Sequence, residues 1–283
     1  VTGFSSGVAT ATFIAQTGGT TVNYYVCTST IDLTGVTADQ QNFDMRSIKV
    51  SSSSSYNVAT SWTSSGSSSS WKNGSAWSAG VVPVDGYAIV VNHNVTLDTN
   101  ASPSSISIST GTTLTVGASN TLTLTGGVSG SGALTINGTL NIGSGGFTSI
   151  SPTYNSGSIL RYSNGSTYGL SDEWGSSTTP VDVEVSSSTT LNLGGNDRSM
   201  SGDLTIDGTS AISISENGSV DIGGALTNNN SITLNASSSG YSQLKVDGSV
   251  SGSGSVTAEQ YVGSTGWHCM AMPVTGNLDE FGS

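Results

Sequence analysis

One short phrase dominates this chain of 283 residues: apolar, polar, apolar, then glycine within about two positions. It recurs from about Ala101 to Val262, as Leu114-Thr115-Val116-Gly117, Leu122-Thr123-Leu124-Thr125-Gly126, Leu134-Thr135-Ile136-Asn137-Gly138, Leu140-Asn141-Ile142-Gly143, Leu204-Thr205-Ile206-Asp207-Gly208 and Val220-Asp221-Ile222-Gly223. Strict alternation is the period of a β-strand with one buried face. Gly, Asn-Gly and Asp-Gly supply turn positions, including those that need positive φ. Two topologies use such a grammar. Asn137-Gly138 between two runs could close a hairpin, or many three- to five-residue strands could stack as the turns of a parallel β-helix. The strands are very short, and Thr, Ser and Asn recur at equivalent places where stacked ladders satisfy them. The phrase Gly132–Gly138 also returns as Gly202–Gly208, 70 positions on, which would fit about three turns of 20–25 residues. The expected fold is therefore all-β, a right-handed parallel β-helix, with a β-sandwich array as its rival.

Composition narrows the function classes. Charged residues make up 8% of the chain, with six Lys and Arg against eighteen Asp and Glu and a net charge of -12; an ordinary domain is about 25% charged. Too little Ala, Leu, Glu and Lys is present for soluble amphipathic helices. Six cations (Arg46, Lys49, Lys72, Arg161, Arg198 and Lys245) exclude the clustered positive charge that nucleic acid requires, and anionic membranes are disfavoured for the same reason. No run of about 18 apolar residues exists, so no membrane insertion is expected. Disorder is not indicated, because charge is sparse and the apolar residues are patterned.

The flanks differ from the middle. Residues 1–60 carry alternating runs, Val8 to Ile14 and Thr21 to Cys27, and a run from Met45 to Val50 that ends in the polar stretch Ser51–Ser55; they read as a strand-rich cap or small β domain. Residues 61–262 read as the β-helix, and 263–283 as a C-terminal extension. Cys27 and Cys269 stand one near each end; they either pair, within or between molecules in an oxidising compartment, or remain separate thiols. The chain begins at Val1 and carries no signal peptide, so it reads as a processed product or a fragment.

Two stretches resemble a known group. Trp71-Lys72-Asn73-Gly74-Ser75-Ala76-Trp77 leads into Pro83-Val84-Asp85-Gly86, Ile89-Val90-Val91, Asn94-Val95-Thr96-Leu97-Asp98 and Ile106-Ser107-Ile108. Tyr168-Gly169-Leu170-Ser171-Asp172-Glu173-Trp174 is followed by Val181 to Val185, and Gly266-Trp267-His268 by Met272-Pro273-Val274. Over roughly residues 70–275 the combination resembles β-helical surface proteins of the Bacteroidota. The resemblance implies a secreted, extracellular cell-surface protein exported by a type IX-like route, adhesive or filament-forming. Such proteins usually end in a sorting domain that this sequence does not show.

The search for chemistry gives few candidates. Trp62, Trp71 and Trp77 read as a plug that closes the first turn, with a sugar-stacking platform as the alternative. Asp182 and Glu184 alternate on one strand and would share a face as a carboxylate pair for glycan cleavage; the plainer reading is a solvated outer face. A lyase site would need basic residues that the chain lacks. His93 and His268 are the only histidines, and neither stands in a triad or nucleophile-elbow context. No cofactor is expected beyond weak calcium binding by surface Asp pairs. The expectation is a non-enzymatic structural or adhesive protein, a head-to-tail repeating subunit of a surface filament. Its partners would be other copies of itself and surface glycans, with Leu278–Phe281 or residues 8–14 completing a neighbour's sheet edge. The alternatives are a carbohydrate-active enzyme of the lyase or glycosidase kind and a carbohydrate-binding adhesin that does not polymerise.

Overall fold

A computed structural model describes residues 61–66 and 68–263 in full, together with the backbones of the strands Gly3–Ser5, Val8–Thr10, Thr21–Thr28 and Lys49–Asn57. The chain divides into two compact units, Val1–Trp62 and Thr63–Ser283. In the first, Val8–Thr10 pairs antiparallel with Gly3–Ser5, and Thr21–Thr28 with Lys49–Asn57 across a register shift at Val26/Cys27. The serine run expected to end the Met45–Val50 segment instead continues the strand, with Ser52 to Ser55 opposite Val26 to Asn23. The backbone ladder is indifferent to side-chain polarity when a partner strand supplies it.

The second unit is a parallel β-solenoid of about eight turns. From Ala88 onward its parallel strands pair between 17 and 24 positions apart in sequence, from Ala88↔Ser105 to Leu226↔Val250. Each regular turn contributes three short strands to three faces. One face is a single seven-stranded sheet running Thr121–Leu124, Thr139–Ile142, Ile159–Tyr162, Asp182–Val185, Leu204–Ile206, Leu226–Asn228 and Val250–Ser251. The other two faces are each split in two: Ser61–Thr63 to Phe147–Thr148 then Thr167–Gly169 to Ser255–Ala258 on one, and Val95–Leu97 to Thr153–Tyr154 then Asp197–Met200 to Gln243–Val246 on the other.

Alternation converts directly into columns. On the continuous face Leu122, Leu140, Leu160, Val183, Leu204 and Leu226 stack inward, each at most 1% exposed. Thr123, Asn141, Arg161, Glu184, Thr205, Thr227 and Ser251 stack outward between them. Burial of such a Leu or Val contributes roughly 1.5–3 kcal/mol, and parallel strands buried inside need exactly this apolar member in every phrase.

Asn137-Gly138 is a corner between two faces, not a hairpin: Ala133–Ile136 and Thr139–Ile142 each pair in parallel with neighbouring turns. The repeated phrase also separates. Leu134–Ile136 lies on one face and Leu204–Ile206 on another, so the 70-residue echo reflects a shared strand-and-corner grammar and no whole number of turns. Nor is glycine at this corner chosen for positive φ. A Cβ on Gly138 would sit 2.3 Å from the Asn120 carbonyl oxygen and 2.4 Å from that of Gly117; the backbones of stacked corners leave it no room.

Polar corners are tied by Asp and Asn side chains that accept a backbone N–H from an adjacent turn. Asn94 Oδ1 accepts from Thr113 (2.9 Å), Asn100 Oδ1 from Thr121 (2.9 Å), Asp182 Oδ1 from Asp203 (2.8 Å), Asp203 Oδ1 from Ala225 (2.7 Å) and Asp207 Oδ2 from Ser187 (2.9 Å). Many of the acids that make the chain anionic are therefore corner acceptors.

Two glycine substitutions separate space from conformation. Gly138→Ala is expected to destabilise by about 1–3 kcal/mol through overpacking. Gly157→Ala, at φ +77 with nothing within 4 Å, is expected to lose about 1 kcal/mol from the left-handed conformation alone. Denaturant unfolding measures both; an equal or reversed order would contradict the close-approach account.

Candidate functional site

Chemistry concentrates at the level where two of the three faces break. Residue columns that are apolar elsewhere become polar there together. Ile89, Ile106 and Val128 are followed by Thr148; Leu97, Val116 and Ile136 by Tyr154. Leu124 and Ile142 lead to Tyr162 and resume at Val185. Tyr168 starts the column of Leu191, Ile212 and Ile232, and Arg198 that of Val220 and Leu244. The chain between Gly169 and Val181 does not supply a regular strand but a short 3-10 turn, Asp172–Trp174.

That turn places Glu173 and Trp174 in the interior with no solvent exposure. Trp174 Nε1–H donates to the Ser199 carbonyl at 3.0 Å. Glu173 Oε1 accepts the Ser171 N–H at 3.0 Å and Oε2 the Thr148 hydroxyl at 3.5 Å; the Tyr154 hydroxyl donates to the Glu173 carbonyl at 2.9 Å. Ser171 Oγ–H closes the circuit onto the Thr148 carbonyl at 2.6 Å. The rings of Tyr162 and Tyr168 lie 5.6 Å apart. Burial pushes the Glu173 carboxyl up, with the hydrogen bonds from Ser171 and its neighbours only partly offsetting it. Burial and then the Glu173 carboxylate raise the phenols of Tyr154, Tyr162 and Tyr168. The Tyr162 hydroxyl and Arg198 Nε are buried without a hydrogen-bond partner among the described residues. A buried acid of this kind, with no solvent exposure, forms a polar joint between two apolar stacks.

The residues singled out from sequence fall elsewhere. Trp71 and Trp77, each 2% exposed, meet edge to face at 4.9 Å, with Trp77 Nε1–H donating to the Trp71 carbonyl at 2.8 Å; Trp62 is 5% exposed. With their rings inside, the sugar-stacking alternative has no exposed aromatic face at these positions. Their loop is stapled to the first turn by Asp98, which accepts from Ser70 Oγ (2.6 Å) and the Lys72 N–H (3.1 Å). Burial opposes ionisation of Asp98, but these hydrogen bonds outweigh it and hold the carboxyl below its usual range.

Asp182 and Glu184 do share the outer face, but each has structural work: Asp182 holds a corner, and Glu184 Oε2 is 2.5 Å from Arg161 Nε. His93 accepts the Gly66 N–H at Nδ1 (3.0 Å), so Nε2 carries the proton and donates to the Ser68 carbonyl (2.7 Å); both nitrogens are committed. His268, Cys269, Leu278 and Phe281 lie outside the described residues, as does the side chain of Cys27. Among the described residues no three His, Cys, Asp or Glu side chains gather as metal ligands.

The far end of the solenoid is different again. In the last turn the inward columns run out into solvent: Leu226 is 1% exposed but its partner Val250 is 66%, and Ile232 is 1% but Val256 is 48%. Among the described residues nothing pairs with the outer edges of Val250–Ser251 and Ser255–Ala258. Sequence reasoning expected an open sheet edge on a neighbouring copy without locating it at Val250 and Val256, and it missed the joint. The signal for the joint was there, as the one long interruption of the phrase between Tyr168 and Val181.

Two substitutions test the joint. A raised Glu173 value means the folded state keeps a proton that the unfolded chain gives up above about pH 4.3; the stability contributed by the protonated form is full below that pH and declines as pH rises through the folded value. Glu173→Gln is therefore expected to gain thermal stability relative to the natural protein as pH rises above about 4.3, and parallel melting-temperature curves would refute it. Tyr162→Phe removes an unpartnered buried hydroxyl and is expected to stabilise by about 1 kcal/mol in denaturant unfolding.

No protein-family model matches the chain, and comparison with curated proteins and with solved structures finds no match in either.

Proposed function

We propose that this chain is an extracellular structural and adhesive protein, a subunit that stacks end to end with other copies of itself in a cell-surface filament. The observation that carries this reading is the open last turn. Among the described residues no strand pairs beyond Val250–Ser251 and Ser255–Ala258, and Val250 and Val256 are exposed while Leu226 and Ile232 beneath them are buried. An exposed edge of that kind is a template for a further strand. The edge is parallel in register and three-faced, so the occupant it fits best is another strand-rich element of the same chain. Head-to-tail contacts whose rotation does not close generate filaments.

The surface supports the same reading. Lys72, Arg161 and Lys245 are engaged with Asp98, Glu184 and the Asp221–Asp247 pair, and Arg198 occupies an inward column position. No cation among these is left to pair with a neighbouring copy, and with a net charge of -12 the stacking of copies is favoured when salt screens their repulsion. The Trp71–Asp98 and Tyr168–Trp174 stretches, with their resemblance to β-helical surface proteins of the Bacteroidota, support secretion by a type IX-like route to the cell surface. In this reading the protein is not an enzyme. The strand that completes a neighbour is drawn from residues 8–14 or from Leu278–Phe281; of these Val8–Thr10 is already one half of a hairpin.

Light scattering and negative-stain microscopy of the natural protein are expected to show elongated assemblies. The double variant Val250→Asp, Val256→Asp is expected to remain monomeric with an unchanged circular dichroism spectrum. Dispersed monomers of the natural protein that also bind no surface would overturn the proposal.

A further inference from the structure

The solenoid carries one excursion that its architecture does not need. Between Ser231–Leu234 and Gln243–Val246 the chain leaves the turn and folds back on itself as an antiparallel pair, Ala236–Ser237 with Gly240–Tyr241. Against it lies the segment that follows the last strand, Glu259 to Tyr261. Together they enclose an open cleft of about 280 Å³ lined by Ala236, Ser237–Ser239, Gly240, Tyr241 and Glu259–Tyr261. Tyr241 is 67% exposed and Tyr261 51%, in a molecule whose tryptophans at the first turn and at the joint are buried. Two of the most exposed aromatic residues among those described thus flank a single cleft.

The polar groups around it are held in place. The Ala236 N–H donates to Glu259 Oε2 at 3.3 Å, which fixes the carboxylate between hairpin and strand end. Ser237 and Ser239 hydroxyls meet at 2.7 Å, and the Ser239 N–H donates to Ser237 Oγ at 3.1 Å, which sets the hairpin tip. Among the described residues no Lys or Arg lines the cleft, and the chain as a whole is strongly anionic, which disfavours phosphate, sulfate and carboxylate ligands. The lining is too rich in hydroxyl, amide and carboxylate groups for a lipid chain.

We infer that this cleft binds one ring of an uncharged saccharide, with Tyr241 and Tyr261 as its apolar walls and Glu259, Gln260 and the serine hydroxyls as its hydrogen-bonding edge. A neutral sugar presents the matching surface: apolar C–H faces bordered by hydroxyls. Tyrosine meets such a surface with a rigid ring and a polar tip. The volume lies near the lower bound of about 300 Å³ for drug-sized ligand sites, which restricts the site to a single ring, and its openness leaves the rest of a glycan chain free in solvent. The site gives the adhesive part of the proposed function a ligand class, and it places the sugar contact at the opposite end of the solenoid from Trp71 and Trp77. It does not depend on polymerisation.

The test uses the assembly-blocked variant Val250→Asp, Val256→Asp alongside the natural chain, so that sugar binding and filament formation are read separately. Both proteins are applied to an immobilised panel of uncharged oligosaccharides built of glucose, galactose, mannose and N-acetylglucosamine, with polyuronate and sulfated chains as controls. Saturable binding to an uncharged member is expected in both. It should weaken about tenfold or more in Tyr241→Ala and in Tyr261→Ala, and also in Glu259→Gln, while Trp71→Phe leaves it unchanged. Binding that survives Tyr241→Ala and Tyr261→Ala together, binding to anionic chains only, or no binding to any uncharged member would overturn the inference, whatever the assembly result.

Discussion

Every turn of this solenoid must lie on the backbone of the turn beneath it at the spacing of hydrogen-bonded strands, about 4.8 Å. That constraint runs through the whole structure. It demands one apolar side chain in the same place on each turn, and hence the column from Leu122 to Leu226. It leaves no space for a Cβ at Gly138. Where strands end and ladder hydrogen bonds stop, it leaves N–H groups that Asn94, Asn100, Asp182 and Asp203 accept. An unpaired buried backbone group would be costly, so these acceptors belong to the fold as much as the leucines do.

The constraint relaxes in two places. At the joint, the chain between Gly169 and Val181 departs from the strand pattern, and two faces lose their continuity while the seven-stranded face carries the molecule through. The space is filled by Glu173, three tyrosines and Arg198. Such a layer is less stabilising than leucine and valine would be, since each buried polar group needs a partner. At the last turn, the columns end without cover, and Val250 and Val256 face solvent. One relaxation is sealed inside the molecule; the other is available for contact.

The low charge of the chain takes on a more specific meaning in this light. Among the described residues the acids largely serve as corner acceptors or ion-pair partners, and the cations are all engaged within the molecule or turned inward. Among the described residues the outside carries many hydroxyl and amide groups, with Val81, Val84, Phe147 and the tyrosines of the hairpin cleft exposed between them. Such a surface suits contact with uncharged polyols better than contact with polyanions.

The strand grammar, the all-β parallel solenoid and the inward members of each phrase were legible from the sequence, because the period of two is a local property and a buried face imposes it residue by residue. Other features were decided only in three dimensions. Which face a phrase occupies depends on accumulated turn length, so the like segments Leu134–Ile136 and Leu204–Ile206 part company. Asp182 and Glu184 looked like a pair, yet one serves a corner and the other an arginine a turn away. Glu173 stands beside Asp172 in sequence with nothing local to mark it as buried; the 3-10 turn and the tyrosines that close over it lie on two successive turns. The sequence determined the repeating unit, whereas the stacking of those units determined where the repeat breaks, because burial depends on which turns become neighbours.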